Sequence, residues 1–276
     1  MPPAIGDLVR DWRHRRNRSQ LDLSLDVGVS ARHLSFVETG KSKPSPELVL
    51  AVAEHLEVPL RDRNTMLLAA GYAPRFSQTP LDDGAMDRVR SSLQRMLDAH
   101  DPYPGVAIDR AWNVLLFNRA ALTFTEGVPP DLLQPTMNVF RICLHPDGLA
   151  SRTSNFEVWG SYLIGQIRRT VQLTGDEGLA ALEDEVLEYP NVQALPTRPD
   201  ADADDDLMLL LPFCIETDEG PLNMFTTMTT FGTPRDVTLD ELAVELFFPA
   251  DDATDAELRR RGSDQSTETA PTGAGV

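Results

Sequence analysis

The 276 residues carry 43 Asp+Glu against 25 Lys+Arg, a formal net charge of −18, with 41% hydrophobic residues and a mean hydropathy of −0.25. At roughly 100 to 200 residues per domain this length predicts two domains with separate cores, and no apolar run approaches the roughly 18 residues of a membrane helix. MPPAIGDLVRDWRHRR has no apolar stretch ahead of a small-residue cleavage site, so a cytoplasmic chain with no membrane partner is expected.

Cys143 and Cys214 stand alone, with neither a CxxC spacing nor histidines arranged around them, and read as buried thiols rather than a disulfide or metal site. The charge is unevenly spread. Residues 1–75 hold 11 Lys+Arg and 9 Asp+Glu, and the remainder hold 14 and 34. A mildly basic head therefore sits on an acidic body, which would repel a nucleic acid everywhere except at a patch the head presents.

In chain order, Ile5, Leu8, Val9 and Trp12 recur at helical spacing and mark a first amphipathic helix, ending in the basic run Arg13 to Arg18. Ser19 caps a second helix, SQLDLSLDV. Asp22 holds its capping-box position, Leu21 and Leu25 are expected on one buried face, and Gly28 supplies a left-handed stop. Ser30 caps a third helix that turns Leu34 and Val37 inward and leaves Ala31, Arg32, His33 and Ser35 outside. Helices joined by so tight a turn must cross steeply, the helix-turn-helix geometry. KSKPSPE follows as a loop. Ser45 with Pro46 opens a fourth helix, and a fifth spans about Arg61 to Gly71.

The run SQLDLSLDVGVSARHLSFVETGKSKPSPELVLAVAEHLEVPL resembles the phage-repressor (XRE) type of helix-turn-helix domain in turn, caps and core positions together. The resemblance implies that Gln20, Lys41 and Lys43 touch backbone phosphate. It places Ala31, Arg32, Ser35 and Phe36 against base edges with His33 beside them, and it matches Arg13 and Glu38 to an ion pair tying the first helix to the third. Physical chemistry agrees: the free N–H groups at the start of such a helix present a positive dipole end, and arginine there bridges guanine O6 and N7. A helical bundle with merely solvated Arg32 and His33 is the bland alternative.

PRFSQTPLDD, residues 74–83, reads as a hinge. Met86, Val89, Leu93, Met96 and His100 then form a heptad stripe over about two heptads, short for a free coiled coil, so docking onto the following domain is favoured over a dimer zipper. GVAID and NVLLFN read as a hairpin leading into a helix at RAALTF. NVFRICL is a short helix, and two longer helices follow from Phe156 and near Leu179. LMLLLPFCIE, LNMFTTMTTFGT and LAVELFFPA supply three more strands. The expected fold is thus multidomain: an all-α five-helix bundle of the lambda-repressor kind, then an α+β domain with an antiparallel sheet.

The phrases VAIDRAWNVLLFNRAA, HPDGL and TTFGTPRDVTLDELAVELFFPAD resemble the MmyB-like transcription regulators, in which a repressor-type head precedes a PAS-like ligand-binding domain. The similarity covers about residues 5–261. It implies a cavity for a small apolar molecule such as a fatty acid, acting as effector with no other cofactor. Phe117, Phe140, Phe213, Phe225, Met228 and Phe231 are candidates to line it, although such side chains on strands are more often ordinary core. Arg110, Arg119, Arg141 and Arg152 are candidates for a carboxylate headgroup, and Arg141 is carried forward with the cavity set.

PDADADDD, residues 199–206, lacks the glycine and bidentate glutamate of a calcium loop and reads as solvated surface. No GxSxG, HExxH, P-loop or GxGxxG motif is present. The domain expectation is a DNA-binding head at 1–73, a linker and connecting helix at 74–100, a ligand domain at 101–261 and a disordered tail at 262–276. Taken together, a non-enzymatic regulator is expected, a homodimer on operator DNA. An enzyme or carrier for a lipid-like molecule, with a DNA-binding head attached, is the alternative from another class.

Overall fold

The serine caps and glycine stops expected from the sequence shape the N-terminal helices in the computed structural model, which describes residues 3–196 and 210–268. The chain divides into two compact units. One comprises residues up to Ala85 together with Phe231–Glu241, and the other comprises Met86–Thr230 and the chain from Leu242 onward.

In the first unit, α1 (Ile5–Arg15), α2 (Gln20–Asp26), α3 (Ala31–Glu38), α4 (Pro46–His55) and α5 (Leu60–Ala69) surround Val9, Trp12, Leu23, Leu34, Val49, Val52, Leu56 and Met66. Ser19, Ser30 and Ser45 each accept a backbone N–H of the helix they open. Gly28 has φ +71°, the left-handed conformation that ends α2 and turns the chain into α3. At Gly6 a Cβ would lie 2.6 Å from the carbonyl oxygens of Val37 and Glu38, so glycine is what lets α1 approach the end of α3.

Leu21 and Leu25 were expected inside, but they are 59% and 70% exposed. The seven-residue α2 instead buries Leu23 and Ser24, because its inward face is set by the crossing with α3 and α4.

The stretch Phe231–Glu241 completes this unit. Its single turn α12 (Val237–Asp240) packs against α5, with Val237 fully buried. The Asp240 carboxylate accepts the Leu60 N–H at the start of α5 at 2.8 Å, doing the work of an N-cap for which Pro59 has no side-chain acceptor. Arg61 pairs with Glu241 through two bonds of 2.7 Å, and Asp236 accepts from Thr79. Residues 74–85 belong to this same unit rather than standing apart as a hinge.

In the second unit, α6 (Asp87–Asp98) lies on β1 (Gly105–Ile108) and β2 (Val114–Phe117). Of the expected stripe Met86 and Leu93 are buried and Met96 is exposed; Leu97, outside that stripe, is fully buried, and Asn118 donates to its carbonyl. A 3-10 helix, Arg119–Thr125, follows. Then come α7 (Pro130–Leu133), α8 (Val139–Leu144), α9 (Phe156–Thr174), α10 (Glu177–Leu187) and α11 (Pro190–Gln193). β3 (Phe213–Thr217), β4 (Gly220–Thr230) and β5 (Ala243–Pro249) complete an antiparallel sheet ordered β2-β1-β5-β4-β3. β5 lies at its centre, which explains why Val244, Glu245 and Phe247 are all buried although they alternate faces.

The final helix, α13 (Asp252–Glu268), overturns part of the expected disorder: residues 262–268 are helical. The segment has little apolar periodicity, so its signal was invisible to that test. The helix is held instead by i,i+4 pairs of Arg259 with Asp255, Arg260 with Asp264 and Arg261 with Glu257, and by buried Leu258. Residues 199–206, where the calcium pattern falls, lie outside the described residues. No described helix is long and apolar enough to cross a membrane.

Candidate functional site

Two sites emerge, one in each unit. In the head, Ser30 Oγ accepts the His33 N–H at 3.1 Å, fixing the first turn of α3. Arg32 is exposed there, with Ala31, His33, Ser35 and Phe36 partly exposed around it. The Phe36 ring is the platform of this face. The Arg32 guanidinium lies 5.3 Å from its centroid and the Lys41 ammonium 5.9 Å, so two cations are gathered over one partly exposed aromatic. Lys41 is held there because its N–H bonds the Phe36 carbonyl at 2.8 Å across Gly40, whose φ is +70°. Lys43 stands over Tyr72 at 4.5 Å, and the Tyr72 hydroxyl donates to the Pro44 carbonyl.

Behind this face lies a buried ionic cluster. Arg13 donates to both oxygens of Glu38 at 2.8 and 3.0 Å, Gln20 Nε2 donates at 2.8 Å, and Arg10 donates to the Glu38 carbonyl at 2.6 Å. Burial pushes the Glu38 carboxyl up, but the bonds from Arg13 and Gln20 and the charges of Arg13 and Arg10 outweigh it and hold the group below the ordinary glutamate value. The ion pair the resemblance implied is therefore present, and it fixes the last turn of α3 against α1. Gln20 commits one of its two side-chain N–H donors to this cluster.

In the second unit the sheet and the helices α8 and α9 line an apolar cavity of about 70 Å³ that opens to solvent. Trp112, Phe117, Phe124, Trp159, Phe213 and Phe247 supply the aromatic walls. Their rings meet in tilted and edge-on pairs, such as Trp159 with Phe213 at 5.0 Å and Phe124 with Phe247 at 4.9 Å. The polar groups in the wall are few: Glu245, Thr125, Cys143 and Tyr162, with the indole N–H of Trp159. Burial pushes the Cys143 thiol up to about 12, and the charge of Glu245 adds to the shift, so no thiolate nucleophile is present at neutral pH. Burial likewise raises the Glu245 carboxyl to about 7, against a bond from Thr226 that lowers it.

A family model, the MmyB-like transcription regulator ligand binding domain, matches residues 89–260, and a helix-turn-helix model matches residues 9–62. The chain belongs to the MmyB-like transcription regulators. Its two matched regions are thus a helix-turn-helix and the ligand-binding domain of that family.

Over 68 residues, a quarter of its length, this MmyB-like regulator is 34% identical to the transcriptional regulator ClgR of two Mycobacterium tuberculosis strains. The match spans 58% of those relatives. Among solved structures, the PAS domain of Bordetella pertussis BvgS is 17% identical with a TM-score of 0.28, covering 66% of this chain and 99% of its own. An RNA-binding light-oxygen-voltage receptor is 12% identical, also at 0.28, covering 93% and 64%.

Of the residues expected to line the regulator's cavity, Phe117 and Phe213 do so. Phe140 is fully buried behind Trp112 at 4.8 Å. Phe225 points to the opposite face of the sheet and stacks on Phe248. Met228 is 47% exposed, and Phe231 has left the sheet for the head unit and is 40% exposed. Arg141 does not reach the cavity. Its guanidinium is engaged bidentately by Glu185 at 2.7 Å, and Arg110 likewise pairs with Asp176.

Sequence reasoning passed over Trp112, Phe124, Trp159, Glu245 and Phe247. The signal for Glu245 was present, since a lone acid inside the apolar run LAVELFF has no solvent to face if that strand is central. The centrality of β5 was not readable from the run itself.

Proposed function

We propose that α3 enters the major groove of operator DNA. In this reading Arg32 and Ser35 face base edges together with Ala31, His33 and Phe36, while Lys41, Lys43 and Gln20 meet backbone phosphates. The observation that carries it is the exposed, capped first turn of α3, with Arg32 and Lys41 gathered over Phe36 and the helix braced from behind by Arg13 and Glu38. Direct arginine contact in the major groove and an electrostatic share from the two lysines follow from that chemistry.

The cavity takes a small apolar effector, and occupancy alters DNA affinity to the extent that the ligand favours one arrangement of the regulator over another. Its walls suit the chain of a fatty acid. Among the described residues its polar groups include no cation, which favours a fatty acid received as the protonated acid. The protein binds its effector without turning it over, in the cytoplasm. It acts as a homodimer that sets two recognition helices about 10 base pairs apart.

The test is to titrate the full chain with labelled genomic fragments at rising salt, alongside native mass spectrometry of the purified protein. Association that weakens steadily with salt, a footprint of two half-sites and a co-purified, chemically unchanged small molecule support the reading. Absent or salt-insensitive association removes it.

A further inference from the structure

The cavity in the second unit is too apolar for its few polar groups to be incidental. Glu245 sits mid-strand on β5, 6% exposed, between β1 and β4. Strand alternation puts Glu245 and Phe247 on the cavity face, and across the sheet Glu245 is in register with Val106, which also lines the cavity. Its carboxyl accepts a hydrogen bond from Thr226, and among the described residues no lysine, arginine or histidine shares the wall with it.

A carboxyl buried in this way is expensive unless it is neutral or acquires a partner. Of the four arginines that were candidates for an acidic headgroup, Arg141 and Arg110 are each paired with a carboxylate, and none of the four, Arg119 and Arg152 included, is among the described residues that line the cavity. Trp159, on another wall of the same cavity, has an indole N–H that is buried with no hydrogen-bond partner. It can only donate. The site thus offers a carboxyl that accepts, and that donates when protonated, and an indole that needs an acceptor.

We propose that the effector of this regulator is a molecule with an apolar body and an uncharged group that both donates and accepts hydrogen bonds, an alcohol or an amide. Glu245 and Trp159 receive that group, and Glu245 turns away ionised carboxylates. This rests on the reading of the cavity as the effector site and narrows it to a ligand class. A hydroxyl or amide satisfies both walls at once, whereas a carboxylate brought into the same cavity meets a second acid with no cation to offset the repulsion.

Discrimination against carboxylates should be strongest when Glu245 is ionised and should relax on acidification. Burial lifts the Glu245 carboxyl to about 7, so it gains its proton between about pH 8 and 6, where a dissolved fatty acid is still ionised. The titratable groups sharing the wall are Cys143 on α8, pushed up to about 12, and Tyr162 on α9. The residues in register with Glu245 on β1 and β4 are Val106 and Met228.

The experiment uses the full chain and three probes: 1-decanol, decanoate and the neutral dye Nile red, with binding followed by calorimetry or by fluorescence of the cavity tryptophans. At pH 8, 1-decanol should bind at least about tenfold tighter than decanoate, and the gap should narrow at pH 6. In Glu245→Gln the gap should shrink at pH 8 and lose its pH dependence while decanol is still bound. Trp159→Phe should weaken decanol about two- to tenfold and leave Nile red in place, since only one hydrogen bond is removed.

Decanoate binding as tightly as decanol at pH 8, or a decanol-to-decanoate ratio unchanged in Glu245→Gln, overturns the proposed ligand class and leaves the effector site standing. If none of the three probes, Nile red included, enters the wild-type cavity, the effector-site reading itself is overturned.

Discussion

Each unit buries one glutamate, and the two could hardly be placed more differently. Glu38 in the head is gripped by Arg13 and Gln20 and lies close to Arg10, and it is held below the ordinary carboxylate range. Glu245 in the ligand domain has a threonine hydroxyl and aromatic walls, and it is lifted to about 7. A buried acid with a full set of donors acts as a structural pin, setting the angle at which α3 leaves α1. One left short of donors costs stability for as long as it is charged, and that cost is what a ligand can relieve. The same side chain thus serves geometry in one unit and recognition in the other.

The contrast breaks most directly at Glu38. Replacing Glu38 or Arg13 by alanine strands the other charge in the core and should cost the head about 3–5 kcal/mol, read by urea unfolding. A loss below about 1 kcal/mol would mean that the cluster is not a pin.

Glu245→Gln should act in the opposite direction. Its folded-state value lies above that of the unfolded chain, so the folded form holds the extra proton between about pH 4.5 and 7, and stability falls as pH rises through that window. Relative to wild type, the variant should gain up to about 3 kcal/mol at pH 8 and almost nothing at pH 4. Parallel stability curves for the two proteins would refute the assignment.

Arg32→Ala should cost about 1–3 kcal/mol of operator binding and relax preference at one base pair. Lys41→Ala should weaken all sequences alike and reduce the salt slope by about one, both read by anisotropy titration on a base-pair substitution series. Asp240→Ala should have the smallest effect, about 1 kcal/mol from the head, through the lost acceptor at the start of α5.

What could be read in advance follows physical range. Caps, left-handed glycines and helical stripes are local, and Ser19, Ser30, Ser45 and Gly28 fixed the head from their neighbours alone. The five strands were legible because each is a short β-branched or aromatic run. The cavity was not, because its lining depends on which strand is central and on which face each side chain takes in the finished sheet. Phe225 and Phe247 sit on neighbouring strands of similar composition, yet they point opposite ways. The exposed Leu21 and Leu25 failed for a related reason: over a seven-residue helix the buried arc is chosen by the helices it crosses. The end of α13 was missed because that stretch of sequence carries no apolar stripe.

The head takes one of its pieces from a place in the chain far from the rest. Phe231–Glu241 lies in sequence between β4 and β5, yet it folds with α5 and supplies the acceptor for the Leu60 N–H. No single scission of the polypeptide can therefore release an intact DNA-binding half. A chimera that grafts this head onto a foreign receptor must import that insert as well, or it inherits a fifth helix with its first turn unanchored.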